Sequence, residues 1–584
     1  MPAPAGRSVP AAAREGTIAG PPTSDEEFWR EAPGVRRAFA ECRFGQIHYR
    51  IAQPQRTSQI PVLCFHLSPS SGRMYGRLLA ELGADRIAIA PDTPGFGESD
   101  APEAPPEIPD YAAAMGDLLD GMRMESIDIV GYHTGSKIAL ELARQRPEQV
   151  RRVVVISAPI YTAEEREEYS RVYAAKPLEN DGGHLTAAWQ GQIRWRTADA
   201  PDIFTHREIV ERLHGGDKSW WGHRAAGNYS HAEALPAVAQ PVLILCPEDD
   251  LYEQTMRAPV YLTERGSLLE MPDWGGHGML DMHAMEVAHI LRFYLDPPDE
   301  DAPPAPTAKP EPARPATPVR RTSRRYVDGP YGQIHLRIAE PETIPDAPPL
   351  ICFHSSPNAG RMYTAVLTEM GRTRIVVAPD TPGFGESQAP PEPPEIEDYA
   401  RAMAGVIKTL GFDRVDIMGY HTGSSTCIEL ARQEPALVRR IIMNSAAIFT
   451  DQELVDIKAA YAPEPMNHDG SHLVARWQRM IPFYGPRVPR GILARNYAEG
   501  LRGGPMSWWG HRAAFNYLLA EKIPDVTQPI LLINPDDDLV KETPRALPLA
   551  PNIRMHGLDG LGHAWFDIIP DEMGRIFRGF LDTE

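Results

Sequence analysis

Short runs of β-branched and aliphatic residues recur along the chain, and longer stretches with apolar positions every three or four residues separate them. In the first half the runs are PVLCFH (61–66), RIAIAPD (86–92), SIDIVGY (126–132), RRVVVISAP (151–159) and QPVLILCPE (240–248). A continuously apolar strand needs cover on both faces, and intervening helices supply it. The pattern therefore predicts a parallel sheet between two helical layers. GQIHYRIA (45–52) alternates instead, with Ile47, Tyr49 and Ile51 on one face, and predicts an antiparallel edge strand. From Tyr161 to about Ala234 the period turns helical and Trp and His become frequent. That segment precedes the strand QPVLILCPE, which predicts a helical cap inserted above the sheet.

The whole pattern is written twice. APDTPGFGES occurs at 90–99 and 378–387, GYHTGS at 131–136 and 419–424, and SWWGHRAA at 219–226 and 507–514, always 288 residues apart. A period this long is a duplicated domain rather than a solenoid repeat. Between the copies runs a Pro-rich stretch, DPPDEDAPPAPTAKPEPARPATPVRRTSRR. At ~3.1 Å per residue in polyproline II form it spans several tens of ångströms and scarcely restricts domain placement. The expected organisation is a disordered Pro/Ala/Gly-rich tail (1–34), domain 1 (35–296, cap about 160–235), a linker (297–323) and domain 2 (324–584, cap about 448–523).

Composition changes this picture little. A chain of 584 residues is too long for one core, in agreement with the duplication. The 59 basic against 79 acidic residues leave a net charge of −20, which offers no electrostatic surface for nucleic acid or an anionic membrane. Five widely spaced cysteines, Cys42, Cys64, Cys246, Cys352 and Cys427, sit mostly inside apolar runs. They read as buried reduced thiols, which fits a cytoplasmic location. No apolar run approaches the ~18 residues of a membrane span, and no apolar signal core opens the chain.

In both copies five landmarks occur in a fixed order. FHLSP (65–69) and FHSSP (353–357) come first, then PDTPGFGES, then GYHTG, then PEDD (247–250) and PDDD (535–538), and last GGHG (275–278) and LGHA (561–564). In this order the chain resembles the α/β-hydrolase superfamily, and more narrowly its capped members, over nearly everything except the tail and the linker. GYHTG stands where the family places its nucleophile elbow, G-x-S-x-G, with His133 and His421 at the tip instead of serine. The flanking glycines, Gly131, Gly135, Gly419 and Gly423, meet the steric demand of that turn. The resemblance implies a metal-free and cofactor-free catalytic set of His133, Asp250 and His277 in domain 1, and His421, Asp538 and His563 in domain 2. It also implies oxyanion donors at the backbone N–H groups of Leu67 and Thr134, and of Ser355 and Thr422. Ser136 and Ser424, three residues into the helix, are expected to face packing.

A tip imidazole can attack a carbonyl, because its neutral form needs no proton removed first. Alternatively it orients substrate while the Asp–His pair activates water. Asp250 should favour charge on His277 and leave the tip neutral. The pocket is expected to include His66 and His354. The cap motif adds Trp220, Trp221, His223 and Arg224, and Trp508, Trp509, His511 and Arg512, with Arg224 equally open to a surface or structural ion pair. Ser219 and Ser507 are placed as the N-caps of that helix. The expected function is hydrolysis of a small, fairly apolar ester, thioester or lactone. The alternatives are lyase or cofactor-free oxygenase chemistry on the same site, and a ligand-binding protein without turnover. Small-molecule substrates and an intrachain pseudo-dimer of the two domains are the expected partnerships.

Overall fold

The computed structural model describes residues 20–297, 322–343, 346–461 and 463–583. The linker expected at 297–323 lies almost wholly outside them, as do the first 19 residues of the tail.

Domain 1 folds around eight strands: β1 (Arg36–Cys42), β2 (Gly45–Ala52), β3 (Val62–Phe65), β4 (Ala88–Pro91), β5 (Ile127–Tyr132), β6 (Val150–Ile156), β7 (Val242–Pro247) and β8 (Gly266–Met271). They lie in the order β1-β2-β4-β3-β5-β6-β7-β8, with β1, β2 and β4 antiparallel and every later pairing parallel. Domain 2 repeats the order with β9 (Thr322–Gly329), β10 (Gly332–Ala339), β11 (Leu350–Phe353), β12 (Val376–Pro379), β13 (Val415–Tyr420), β14 (Val438–Asn444), β15 (Ile530–Pro535) and β16 (Ile553–Leu558). The central strands are buried along their whole length, as strands covered on both faces must be. All five cysteines are buried free thiols. No described helix is long and apolar enough to cross a membrane.

Three expectations need correction. GQIHYRIA is not the edge of the sheet, because β1 pairs along its full length and takes the outer place. Residues 25–29 of the expected tail form a helix capped by Ser24, with Phe28 and Trp29 buried. Trp29 donates its indole N–H to the Arg502 carbonyl at 3.0 Å, so domain 2 supplies the burial that this short segment lacks on its own. Finally, β9 begins at Thr322, two residues inside the expected linker.

The two outer strands, β1 and β9, face each other across an approximate twofold relation. Gln333 clamps the backbone of β1, accepting from Arg37 N–H and donating to Arg37 C=O, both at 2.8 Å. Gln46 does the same to Arg324 of β9, at 2.8 and 3.1 Å. These amides satisfy the unpaired groups that an outer strand otherwise presents. The caps meet by the same rule. Trp189 donates to the His468 carbonyl at 2.8 Å and Trp477 to the Asn180 carbonyl at 3.2 Å, and both indoles are buried. Buried charges lie between these contacts: Glu98 of domain 1 bonds Arg337 (2.6 Å) and Arg502 (2.8 Å) of domain 2.

Candidate active site

The turn from β5 into helix Thr134–Gln145 holds His133 at φ 49°, ψ −107°, and the turn from β13 into helix Thr422–Gln433 holds His421 at φ 50°, ψ −111°. These are strained conformations for a residue with a Cβ. The neighbours must be glycine for a separate reason. A Cβ on Gly131 would run into the Gly135 carbonyl, and one on Gly135 into the Phe65 carbonyl, with the same clashes at Gly419 and Gly423. The strand ladder and the helix together fix the tip imidazole above the sheet.

Each tip histidine is held by a carboxylate that the sequence reading passed over. His133 Nε2 lies 2.8 Å from Asp249 Oδ2, and His421 Nε2 lies 2.8 Å from Asp537 Oδ2. Both aspartates are buried. Asp249 also accepts from Ser157 Oγ (2.6 Å) and Leu251 N–H (2.9 Å). The second aspartate of each doublet serves the other histidine. His277 Nε2 is 3.2 Å from Asp250 Oδ1 and His563 Nε2 is 2.8 Å from Asp538 Oδ1. Asp250 and Asp538 also stand 3.8 and 3.7 Å from the tip histidines. The two rings of each site lie 5.2 and 5.3 Å apart between centroids. Tyr420 donates to Asp537 at 3.0 Å and lies 3.2 Å from His563 Nδ1, a link that domain 1 lacks among its described contacts.

Electrostatics follow from this pairing. Burial works against charge on His277, but its hydrogen bond to Asp250 and that carboxylate's field outweigh burial and raise its pKa. Burial also opposes charge on His421, yet Asp538 and Asp537 prevail and lift it to about 9. Burial likewise opposes charge on Asp250 and Asp538, and the facing histidines hold both well below the usual carboxylate range. The expectation of a neutral tip, drawn for His133, does not extend to domain 2, where Asp538 and Asp537 shift His421 toward its charged form.

The remaining site residues divide clearly. Thr134 and Thr422 open their helices, so their N–H groups have no intrahelical acceptor. Leu67 and Ser355 are buried beside cis Ser68–Pro69 and Ser356–Pro357 in the facing loop. His66 is spent inside that loop, with Nδ1 2.7 Å from Leu67 C=O and Nε2 accepting from Thr93 N–H at 2.9 Å. His354 repeats this with Ser355 and Thr381. Ser136 is fully buried, its Oγ 2.8 Å from His231 Nε2, and Ser424 bonds only backbone carbonyls among the described contacts.

In the cap, Trp221 and Trp509 pack near Gly95 and Gly383, while Trp220 and Trp508 are half-buried just before the helices. Those helices start at Trp221 and Trp509, not after serine caps. Ser219 and Ser507 already have helical backbone angles, closing a preceding 3-10 turn, whereas a capping serine needs an extended conformation. His223 stacks on Tyr173 (4.1 Å, 8°), and His511 lies 3.2 Å from Tyr461 Oη. Burial, then Arg212 and His133, push His223 down to about 3; burial, then His421 and Arg476, do the same to His511. Both are neutral walls beside the site.

Arg224 and Arg512 are not pocket groups. Each pairs at 2.6 Å with the glutamate that caps the helix after PDTPGFGES, Glu107 and Glu395. The cation that borders the domain 1 pocket is Arg212. It is half-buried near Tyr173 and His223, burial lowers its pKa, and its buried Nε has no hydrogen-bond partner. In domain 2 position 500 is glycine, and Arg476, from another cap helix, donates to the Gly500 carbonyl at 2.8 Å. Among the described residues, His133, Asp250 and His277, and likewise His421, Asp537, Asp538 and His563, bring their ligand atoms within 4.8 Å of one another. These are the groups able to hold a divalent ion.

Two eight-stranded, mostly parallel sheets with capped elbows define a tandem pair of α/β-hydrolase domains. The family model described as the alpha/beta hydrolase fold matches residues 60–187 and 348–504, and the chain belongs to that superfamily. An uncharacterized protein of Mycobacterium tuberculosis is 33% identical over 138 residues, covering 24% of this chain and 36% of that protein. The match thus spans about a third of the relative's length. A 2-hydroxy-6-oxo-2,4-heptadienoate hydrolase of Pseudomonas putida is 25% identical over 36% of this chain and 77% of its own. A 2-(acetamidomethylene)succinate hydrolase of Mesorhizobium japonicum is 23% identical over 44% and 95%. Among solved structures, an enol-lactonase of Burkholderia xenovorans aligns with 44% of this chain and all of its own, at 22% identity and a TM-score of 0.38.

Proposed function

We propose that each domain hydrolyses a small carbonyl compound, an ester, thioester or lactone, using a doubled imidazole–carboxylate site. The observation that carries this reading is the convergence of two histidines and two aspartates on one elbow, repeated in both domains. His277, made more basic by Asp250, takes a proton from water, and the water attacks the carbonyl carbon. The carbonyl oxygen gains negative charge and lies against the N–H groups of Thr134 and Leu67. The imidazolium of His277 then returns its proton to the leaving oxygen or sulfur. His133, tethered through Nε2 to Asp249, orients the substrate with its other ring nitrogen. In domain 2, His421 carries a proton and acts as a hydrogen-bond donor, a role incompatible with nucleophilic attack at neutral pH.

The pockets differ in lining. Tyr161 and Tyr169 of domain 1 are replaced by Phe449 and Ile457 in domain 2, while Tyr173 is kept as Tyr461. Domain 1 therefore takes the more polar substrate, and Arg212, with its Nε free of a hydrogen-bond partner, favours one carrying a carboxylate. The Pseudomonas and Mesorhizobium relatives are named for carboxylate substrates, in keeping with that choice. The two domains work as an intrachain pseudo-dimer. A panel of esters, thioesters and lactones, with and without a carboxylate, assayed on wild type and on Arg212→Gln, tests the reading. The expected result is a raised KM in the variant for acidic substrates alone, and no turnover of any panel member by wild type would end the proposal.

A further inference from the structure

Between the domains lies a cavity of about 150 Å3, roughly the volume that holds one benzene-sized molecule. Its wall is unusual in charge. Domain 1 contributes Arg37, Arg50 and Arg73, the N-terminal helical segment contributes Arg30, and domain 2 contributes Arg502 and the loop carrying Glu386. Two of these arginines are spent. Arg50 bonds Glu31 (3.0 Å) and Glu386 (3.2 Å), and Arg502 bonds Glu98 (2.8 Å) and Glu386.

Of the other three, Arg37 is the one with buried N–H groups left without an acceptor. Arg37 is only 6% exposed, yet its Nε and Nη2 are buried with no hydrogen-bond partner. Its nearest carboxylate beyond Glu386 is Glu31, 3.8 Å from Nε. Arg73 donates to the Trp29 carbonyl, and Glu211 stands 3.7 Å away; burial still holds its pKa down to about 10. Arg30 donates to the carbonyls of Ala389 and Pro390, with Glu26 at 4.0 Å. Burying guanidinium N–H groups without acceptors is costly, and an anion in the cavity removes that cost.

The approximate twofold relation supplies an internal control. Arg324 occupies in domain 2 the place of Arg37, and its guanidinium is bonded by Asp100 and by the Glu98 carbonyl. Asp100 and Gln388 are matching positions, the last residues of GESD and GESQ. Each accepts the N–H of the matching strand glutamine, Gln46 at 2.9 Å and Gln333 at 2.6 Å. Only Asp100 brings a charge. Arg324 thus receives a carboxylate from this position, whereas Arg37 has Glu386 at 3.4 Å and Glu31 at 3.8 Å and keeps Nε and Nη2 without a hydrogen-bond partner.

We propose that this cavity is a binding site for a small oxyanion, whose phosphate or carboxylate oxygens lie against Arg37, Arg73 and Arg30. Because its walls come from both domains and from the segment before β1, the anion locks these parts together. The cavity also adjoins the second active site: Phe384, beside the lining Gly383 and Gly385, packs on His354 at 5.7 Å, next to the oxyanion loop.

Titration calorimetry and thermal unfolding of the full chain, with inorganic phosphate or malonate at constant ionic strength set by chloride, test the proposal. The expected result is one saturable site and a raised Tm, and the tighter of the two anions identifies phosphate or carboxylate as the natural chemistry. Gln388→Asp rebuilds the Asp100 arrangement without removing the strand hydrogen bond. It should unfold no earlier than wild type without anion and bind at least about tenfold more weakly. Arg37→Gln should weaken binding similarly. Absence of saturable binding to either anion, or equal affinity in Gln388→Asp and wild type, would overturn the proposal.

Discussion

His421 is the group whose titration most sharply divides the roles open to a tip histidine. Its side chain is 16% exposed and lies 2.8 Å from Asp537 and 3.7 Å from Asp538. At an effective dielectric of about 20, one carboxylate at that second distance contributes about 4 kcal/mol of attraction, part of which burial cancels. A pKa of about 9 against an ordinary 6.5 corresponds to about 3 kcal/mol in favour of the charged form. The folded pKa is the raised one, so this stabilisation is fully present below about 6.5 and is lost as pH rises through about 9. Histidine-selective NMR of wild type and His421→Gln assigns the ring and reads its pKa, and denaturant unfolding between those limits reads the energy. Wild type should lose about 3 kcal/mol relative to the variant over that span. Activity of domain 2, isolated by disabling domain 1 with His277→Ala, should fall as His421 deprotonates. A His421 pKa near 6.5, or activity rising with deprotonation, would refute the electrostatic reasoning and restore the nucleophile.

Other consequences are open to direct test. Trp189→Ala empties a buried site at the cap–cap contact and should cost about 3–5 kcal/mol, with a larger radius of gyration by scattering. An unchanged radius would show that the caps do not hold the domains together. Gly135→Ala sets a Cβ against the Phe65 carbonyl and should destabilise domain 1 by more than 2 kcal/mol, or abolish soluble expression. Serine-directed fluorophosphonates should leave the wild type unlabelled, because Ser136 is fully buried, while His133→Ser should gain labelling. Labelled wild-type Ser136 would contradict the placement of that hydroxyl.

The sheet, the duplication and the elbow were legible because each rests on local rules. Apolar runs mark buried strands, and the glycines at 131 and 135 answer a clash between neighbouring backbone segments. The site was only half legible. In PEDD both aspartates look alike, and the loop geometry alone sends Asp249 to the tip and Asp250 to His277. For Arg224 the sequence left pocket and ion pair equally open, because its partner Glu107 lies more than 100 residues away in sequence and only the fold brings it to 2.6 Å. Arg212 lies in the charged run REIVERLHGG, which reads as a solvated helix face. Its Nε is nonetheless buried beside Tyr173 and Glu208 of the same cap, and no local pattern records that. The helix at 25–29 escaped notice for the same reason: its partner, Arg502, is more than 470 residues away in sequence.

The central claim is that the paired histidines and aspartates perform the chemistry in both domains. Turnover of a carboxylate-bearing ester or lactone by His277→Ala, His563→Ala and the double variant, with folding checked by thermal unfolding, measures it most directly. The His277→Ala variant should lose the larger part of this turnover, His563→Ala a smaller part, and the folded double variant all of it. Undiminished turnover in the double variant would contradict it.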